Sequence, residues 1–141
     1  RRGIQECAFV VHEMLARGLA PTHVLCSASR RTRQTLELVM QAVPPHARIT
    51  YSDQLFSADA SGYLELIREF GGAGSLMVVG HNPSTEELAL QLAARSDRTA
   101  IDALMRGFPT GGLAHFEFDG KFLALKARQA ALAAFITPPR D

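Results

Sequence analysis

The sequence predicts an α/β fold, in which a three-layer, mostly parallel sheet is flanked by helices and completed by a C-terminal antiparallel hairpin. Short apolar runs alternate with amphipathic segments of helical spacing, which is the pattern of βαβ units. Near the end, an alternating segment reaches Asp119-Gly120, a dipeptide that favours a two-residue hairpin turn. A chain of 141 residues suffices for one compact domain, so we expect residues 1–141 to form a single domain.

Each predicted element follows from a local pattern. Apolar residues that recur every three or four positions predict helices, and Gly or Pro ends them. The strongest strand signal is the wholly apolar run at 76–79, which we expect to be a central strand buried on both faces. In chain order the predicted elements are helix 3–17, strand 22–26, helix 30–43, strand 48–52, a helix around 63–70, strand 76–79, helix 83–95, a helical turn around 101–105, hairpin strands 113–118 and 122–125, and strand 132–136.

Composition excludes several classes of function. The chain is 47% hydrophobic and 21% charged with a formal net charge of +1, which gives no case for nucleic acid, an anionic membrane surface or an acidic partner. No apolar run approaches the roughly 20 residues of a membrane-spanning helix. Cys7 and Cys26 lack metal-ligand spacing and are predicted to be buried thiols in a reducing, cytoplasmic compartment. The oligomeric state stays open.

One strand end presents a histidine. Gly80 breaks the apolar strand 76–79, and His81 follows it. Asn82 is predicted to cap the next helix, with Pro83 at the first helical position. His81 then lies at the carboxyl end of a strand beside the free N–H groups of a helix start, where open α/β sheets bind ligands and where anions are favoured.

The strand at 22–26 ends in a similar way. Ser27 and Ala28 form a turn of small residues, and either Ser27 or Ser29 can cap the helix that follows. Carboxyl ends of parallel strands meet at one edge of a sheet, so this turn and His81 should open on the same crevice.

Three arginines crowd the start of that second helix. Arg30, Arg31 and Arg33 occupy its first turns, where the helix dipole disfavours cations, and sequences break such a local rule where a site needs it. Guanidinium groups beside free backbone N–H groups suit a phosphate. Neighbours on a helix diverge by about 100°, so at least one of Arg30 and Arg33 should lie on a solvated face, and we expect Arg31 and His81 to converge on one phosphate.

These segments resemble the histidine phosphatase superfamily, and within it the SixA-type phosphohistidine phosphatases. Residues 27–35, Ser-Ala-Ser-Arg-Arg-Thr-Arg-Gln-Thr, are similar to the family's Ser-Pro-x-x-Arg-Ala-x-Gln-Thr segment. Residues 80–83 and 86–88 are similar to its second-histidine segment. Residues 108–114 and 134–138 are similar to the bacterial SixA-like group, so the resemblance covers almost the whole chain in the right order.

The resemblance implies a phosphatase without metal or other cofactor, in which a histidine takes the phosphoryl group and water releases it. Carried over by position, Arg31 is the phosphate-binding arginine, and His81 is the second histidine, which binds the phosphoryl oxygens. Ser27 is implied as a structural or phosphate-side hydroxyl at the strand end, and Asn82 is a further candidate for phosphate binding. Such a site matches phosphoryl transfer, which needs cationic donors around three oxygens and an in-line nucleophile.

The family's nucleophile is carried by an Arg-His-Gly signature, which the 141 residues do not contain. Arg1-Arg2-Gly3 resembles instead the end of the segment that follows this signature. The expectation is therefore that a segment of about 20 to 30 residues, a strand with its connection, belongs before Arg1.

No glutamate matches the general acid of the larger relatives. Asp59 lies in a comparable loop, although an aspartate just before a helix is more often an N-cap, so both roles are open.

Three functions remain at this point. The leading one is hydrolysis of phosphohistidine in a phosphorylated protein through a phosphohistidine enzyme intermediate. The second is hydrolysis of a small phosphorylated substrate or of phosphoserine, phosphothreonine or phosphotyrosine on the same scaffold. The third, if the nucleophile is absent, is a phosphate-binding module without catalysis.

Overall fold

The computed structural model describes residues 2–72, 74–94 and 98–139. Within them the chain divides into two compact units. The first comprises residues 2–57, 74–81 and 138–139, and the second comprises residues 58–72, 82–94 and 98–137. The fold is α/β, as predicted, with a parallel sheet flanked by helices and a C-terminal antiparallel strand pair.

The first unit is a three-stranded parallel sheet with helices packed on it. The strand His23–Ser27 lies between the strands Arg48–Ser52 and Leu76–Val79. The helix Arg30–Val39 packs on the first and third of these strands in chain order, and the helix Arg2–Ala16 packs on that helix. The elements are α1 (Arg2–Ala16), β1 (His23–Ser27), α2 (Arg30–Val39) followed by a 3₁₀ turn (Met40–Ala42), β2 (Arg48–Ser52), α3 (Gln54–Ser57) and β3 (Leu76–Val79). These agree closely with the predicted elements except for α3, which is too short to show a helical period.

Among the described residues the middle strand of this sheet is β1, and the full burial predicted for residues 76–79 is not observed. Val24, Leu25 and Cys26 are buried because β1 has a hydrogen-bonded strand on both sides. Every residue of β3 is only half-buried, because β3 pairs with β1 alone among the described residues. The apolar run therefore indicated a strand correctly but not the degree of its burial in the described part of the chain.

The register brings the ends of the three strands to one level. Ser27 at the end of β1 pairs with Ser52 at the end of β2, and Cys26 pairs with Val79 at the end of β3. His81, two residues past Val79, therefore leaves the sheet at the same edge as Ser27. This is the arrangement expected for a ligand site in an open parallel sheet.

The second unit combines helices with a mixed sheet, in which the strand Ala130–Ile136 lies between the strands Ala93–Ala94 and Leu113–Glu117. Its core includes Ala89, Ala100, Leu104 and Leu132, and Tyr63 is fully buried. The helix over 98–105 is longer than the single turn predicted there. The preceding helix, predicted to reach residue 95, ends at Leu92, because Ala93 and Ala94 pair with the last strand instead. The elements are α4 (Ala60–Arg68), α5 (Ser84–Leu92), β4 (Ala93–Ala94), α6 (Arg98–Met105), β5 (Leu113–Glu117), a 3₁₀ turn (Phe122–Ala124) and β6 (Ala130–Ile136).

The antiparallel pair is confirmed, but its predicted turn is wrong. Strand β5 pairs with β6, from Leu113 opposite Ile136 to Glu117 opposite Ala131. The segment 122–125, predicted as the returning strand, forms a 3₁₀ turn instead. Phe122 and Leu125 are buried at either end of that turn, so packing of these side chains overrides the local hairpin signal.

Both cysteines are buried free thiols, as predicted. Burial raises the pKa of Cys7, and the neighbouring Glu6 adds to the shift. Burial likewise raises the pKa of Cys26, opposed by a hydrogen bond with Thr32 and by the charge of Arg33. Because the thiolate is the reactive form, both thiols are poor nucleophiles at neutral pH. Among the described residues no helix is long and apolar enough to cross a membrane.

Candidate functional site

The turn between β1 and α2 is held by a network of hydroxyl groups. Ser27 is fully buried, and its backbone carbonyl accepts a hydrogen bond of 2.7 Å from Thr32 Oγ1. Ser29 is the N-cap of α2, since its Oγ accepts from the backbone N–H of Thr32 at 3.4 Å. Of the two serines predicted as possible caps, Ser29 performs this role. Because Ser29 caps the helix, the Ser27 hydroxyl can make a different side-chain contact.

That contact is with His81. The Nε2 atom of His81 lies 2.8 Å from Ser27 Oγ, within hydrogen-bond distance. The same hydroxyl oxygen accepts a long hydrogen bond of 3.4 Å from the Ser29 backbone N–H. A buried hydroxyl at the end of the central strand therefore orients the imidazole ring, which itself is only half-buried.

An aromatic ring adjoins His81. The Phe56 and His81 ring centroids are 5.4 Å apart with an interplanar angle of 86°, an edge-to-face arrangement. Phe56 lies in α3 and is 69% exposed. Sequence reasoning missed Phe56 because α3 was not predicted, and an aromatic residue in a loop gives no periodic signal.

Arg31 lies in the first turn of α2, four residues after Ser27. Its side chain is exposed, and within the described residues the guanidinium has no hydrogen-bond or ion-pair partner. A guanidinium that is not engaged by the protein keeps all five N–H groups for a ligand, and it suits bidentate binding of phosphate.

Asn82 differs from its predicted role as an N-cap. Helix α5 begins at Ser84 with Pro83 in the cap position, one residue later than predicted. The Asn82 side chain instead accepts a hydrogen bond from Thr85 Oγ1 and donates one of 2.7 Å to the Phe108 carbonyl. The local sequence could not indicate this, because Phe108 is 26 residues away.

Glu86 binds the same residue as Asn82, namely Phe108. Glu86 Oε1 accepts a hydrogen bond of 2.8 Å from the Phe108 backbone N–H. The backbone N–H and carbonyl of Phe108 are therefore both hydrogen-bonded to side chains at the start of α5. Asn82 and Glu86 thus anchor the segment 108–114, whose sequence is similar to that of the bacterial SixA-like group. Asn82 belongs to the second unit, whereas Ser27, Arg31 and His81 belong to the first.

Asp59, also in the second unit, is the N-cap of α4. Its Oδ1 accepts a hydrogen bond of 2.9 Å from the Gly62 backbone N–H, and its side chain is exposed. In the structure the Asp59 carboxylate therefore stabilises the start of α4.

We predict that Asp59→Asn leaves both stability and turnover nearly unchanged, because asparagine caps a helix about as well as aspartate. Asp59→Ala should lower the free energy of unfolding by about 1 kcal/mol, measured by urea denaturation. A large loss of turnover in the stable Asp59→Asn protein would instead identify Asp59 as the general acid.

Within the described part of the chain, no group of three or more histidine, cysteine, aspartate or glutamate side chains is arranged to hold a metal ion.

Comparison with known proteins places the chain among bacterial relatives. No protein-family model matches it. It is 34% identical over 140 residues to the uncharacterized protein Rv1276c of Mycobacterium tuberculosis, covering 97% of this chain and 86% of that protein. It is 27% identical over 139 residues to the uncharacterized protein ML1117 of Mycobacterium leprae, covering 97% of this chain and 84% of that protein.

Two solved structures are similar to the chain over nearly its whole length. One is the "Putative Phosphohistidine Phosphatase SixA" from Nakamurella multipartitia, with a TM-score of 0.80, 25% identity and coverage of 96% of this chain and 81% of that one. The other carries the same designation in Agrobacterium tumefaciens, with a TM-score of 0.77, 28% identity and coverage of 98% and 81%. The resemblance of residues 27–35 and 80–83 therefore extends to the fold. The chain belongs to the histidine phosphatase superfamily, in its SixA-type group.

Proposed function

We propose that this protein is a metal-independent phosphatase that hydrolyses phosphohistidine through a phosphohistidine enzyme intermediate. The observation that supports this most is the pairing of His81 with the buried Ser27 hydroxyl at the carboxyl end of the parallel sheet, directly before the helix start that bears Arg31. The similarity to two SixA-type structures supports the same reaction class.

Each residue of the site has a separate task in this proposal. The Arg31 guanidinium binds two phosphoryl oxygens and balances their charge. His81 donates a hydrogen bond to the phosphoryl group as it is transferred, and Ser27 orients the His81 ring. Fixed donors of this kind lower the barrier because they need no reorganisation as charge develops.

The proposed reaction has two displacements at phosphorus. A nucleophilic histidine nitrogen forms a bond to phosphorus while the P–N bond to the substrate imidazole breaks, and the departing imidazole takes up a proton. Water then attacks the phosphoenzyme, the second P–N bond breaks, and inorganic phosphate leaves. The imidazole that leaves a phosphoramidate needs less acid catalysis than the alkoxide that leaves a phosphate ester. A reaction with little need for a general acid agrees with the role of the Asp59 carboxylate as a helix cap.

The nucleophile is the component that the 141 residues do not supply at the family position, since they contain no Arg-His-Gly. The experiments therefore use the natural full-length protein. Its intact mass, compared with the 15.3 kDa of these residues, tells whether further chain is present. Peptide mapping of the trapped phosphoenzyme then locates the phosphorylated histidine.

The test of the proposal compares a phosphohistidine peptide with a phosphoserine peptide of the same sequence. We expect faster hydrolysis of phosphohistidine, together with an acid-labile phosphoenzyme. Preference for the serine ester would favour the second candidate, an ester phosphatase on this scaffold. Phosphate binding with neither turnover nor phosphoenzyme would leave only a non-catalytic phosphate-binding module.

A further inference from the structure

A groove outside the His81 site lies between α2 and β2 of the first unit. It has a volume of about 380 Å³ and is lined by Arg30, Arg33, Gln34, Glu37 and Tyr51. We call it the arginine groove. Four of these residues come from α2 at spacings of three, four and seven positions, so they form one stripe along the helix. Arg31, one position from Arg30, is turned about 100° away from this stripe.

The arginine groove carries positive charge that the protein does not neutralise. Two guanidinium groups face one carboxylate, and none of the three has an ion-pair partner among the described residues. Both arginines lie in the first turn of α2, where the helix dipole disfavours them. A favourable anionic ligand would compensate for this local cost.

Tyr51 forms the apolar side of the arginine groove, and its place in the strand register shows where the groove lies along the sheet. Its side chain is 51% exposed, although it comes from a sheet strand. In the register Tyr51 pairs with Cys26, next to Ser27 at the end of β1. The arginine groove therefore opens near the same carboxyl edge of the sheet as the Ser27–His81 pair.

The dimensions of the groove suit an extended peptide. From Arg30 to Glu37 the helix rises by about 10 Å at 1.5 Å per residue. An extended segment of three residues covers about the same length. Acidic side chains on such a segment would meet Arg30 and Arg33, while a neighbouring side chain packs on the Tyr51 ring. The net charge of +1 does not reveal this surface, because it averages over the whole chain.

We propose that the arginine groove binds an acidic segment that flanks the phosphohistidine of a protein substrate. This inference rests on the proposed function, and it assigns a protein rather than a metabolite as the substrate. Paired carboxylates and guanidinium groups favour bidentate hydrogen bonds. Tyrosine supplies a rigid surface that costs little conformational entropy on binding.

The test uses two phosphohistidine peptides that differ only in their flanks, one with Asp and Glu and the other with Asn and Gln. For the natural full-length protein we expect kcat/KM to be about tenfold higher for the acidic peptide at low ionic strength, with the ratio falling as salt rises. In the Arg30→Gln/Arg33→Gln double variant the ratio should fall to about one, since the attraction is lost. Arg48→Gln, an exposed arginine at the start of β2, is the matched control and should keep the ratio.

Two outcomes would overturn the inference. One is equal kcat/KM for the acidic and neutral peptides in the wild-type protein, and the other is an unchanged ratio in the double variant. Binding of a fluorescent, unphosphorylated acidic peptide, measured by anisotropy, gives a readout that needs no catalysis. If no phosphopeptide is hydrolysed, the proposed function fails, and this binding measurement alone decides whether the arginine groove holds an acidic segment.

Discussion

Replacement of His81 by alanine is expected to lower kcat on phosphohistidine by about 10² to 10³-fold, the cost of removing one fixed donor from a developing anion. The variant loses the imidazole that Ser27 orients at 2.8 Å. Steady-state hydrolysis of a phosphohistidine peptide measures the effect. Because His81 is only half-buried, the variant should fold, and its thermal melting is compared with that of the wild-type protein.

Two further variants make the result specific. Ser27→Ala keeps the imidazole but removes the hydroxyl that orients it, so we expect a smaller loss of about tenfold, as for one hydrogen bond of roughly 1.4 kcal/mol. His12→Ala replaces an exposed histidine on α1 and should have no effect. Full activity of His81→Ala would show that His81 takes no part in phosphoryl transfer.

Replacement of Arg31 by alanine is expected to lower kcat/KM by about 10²-fold, because it removes one of the few fixed positive charges on the phosphoryl group. The side chain is exposed and has no protein partner among the described residues, so its loss should not alter stability. Binding of inorganic phosphate, measured by calorimetry, should weaken in parallel and does not depend on the nucleophile.

The conservative variant separates charge from geometry. Arg31→Lys keeps a cation but loses the planar fork, so it should recover only part of the activity. Arg48→Ala, at the start of β2, is the exposed control and should behave like the wild-type protein. Unchanged turnover in Arg31→Ala would mean that another arginine holds the phosphate.

The arrangement of the site was foreseen in part. A small-residue turn after an apolar run predicted that Ser27 would stand at a strand end, and the same reasoning applied to His81. The contact between them joins residues 54 positions apart. Side-chain contacts at that distance depend on strand order and register, which a local pattern does not contain.

Candidates near a helix start were harder to assign. Asp59 is a candidate acid because it lies in a loop comparable to that of the larger relatives, and Asn82 is a candidate ligand because it follows His81. Both also precede helices, a position where small polar residues act as caps. In the structure Asp59 caps α4, whereas Asn82 binds Thr85 and the distant Phe108 carbonyl. Sequence alone could place these residues at helix starts without saying which atoms they would contact.

The sequence by itself determined the α/β class, most helices and strands of the first unit, and the position of Ser27 and His81 at the ends of two strands. These follow from periodicity, turn residues and motif spacing, which are local properties. Only the tertiary structure decided that Ser27 contacts His81, that β5 pairs with β6, and that Arg30, Arg33 and Tyr51 line one groove. Strand order and surface grooves arise from contacts between segments far apart in the chain, where packing outweighs local preference.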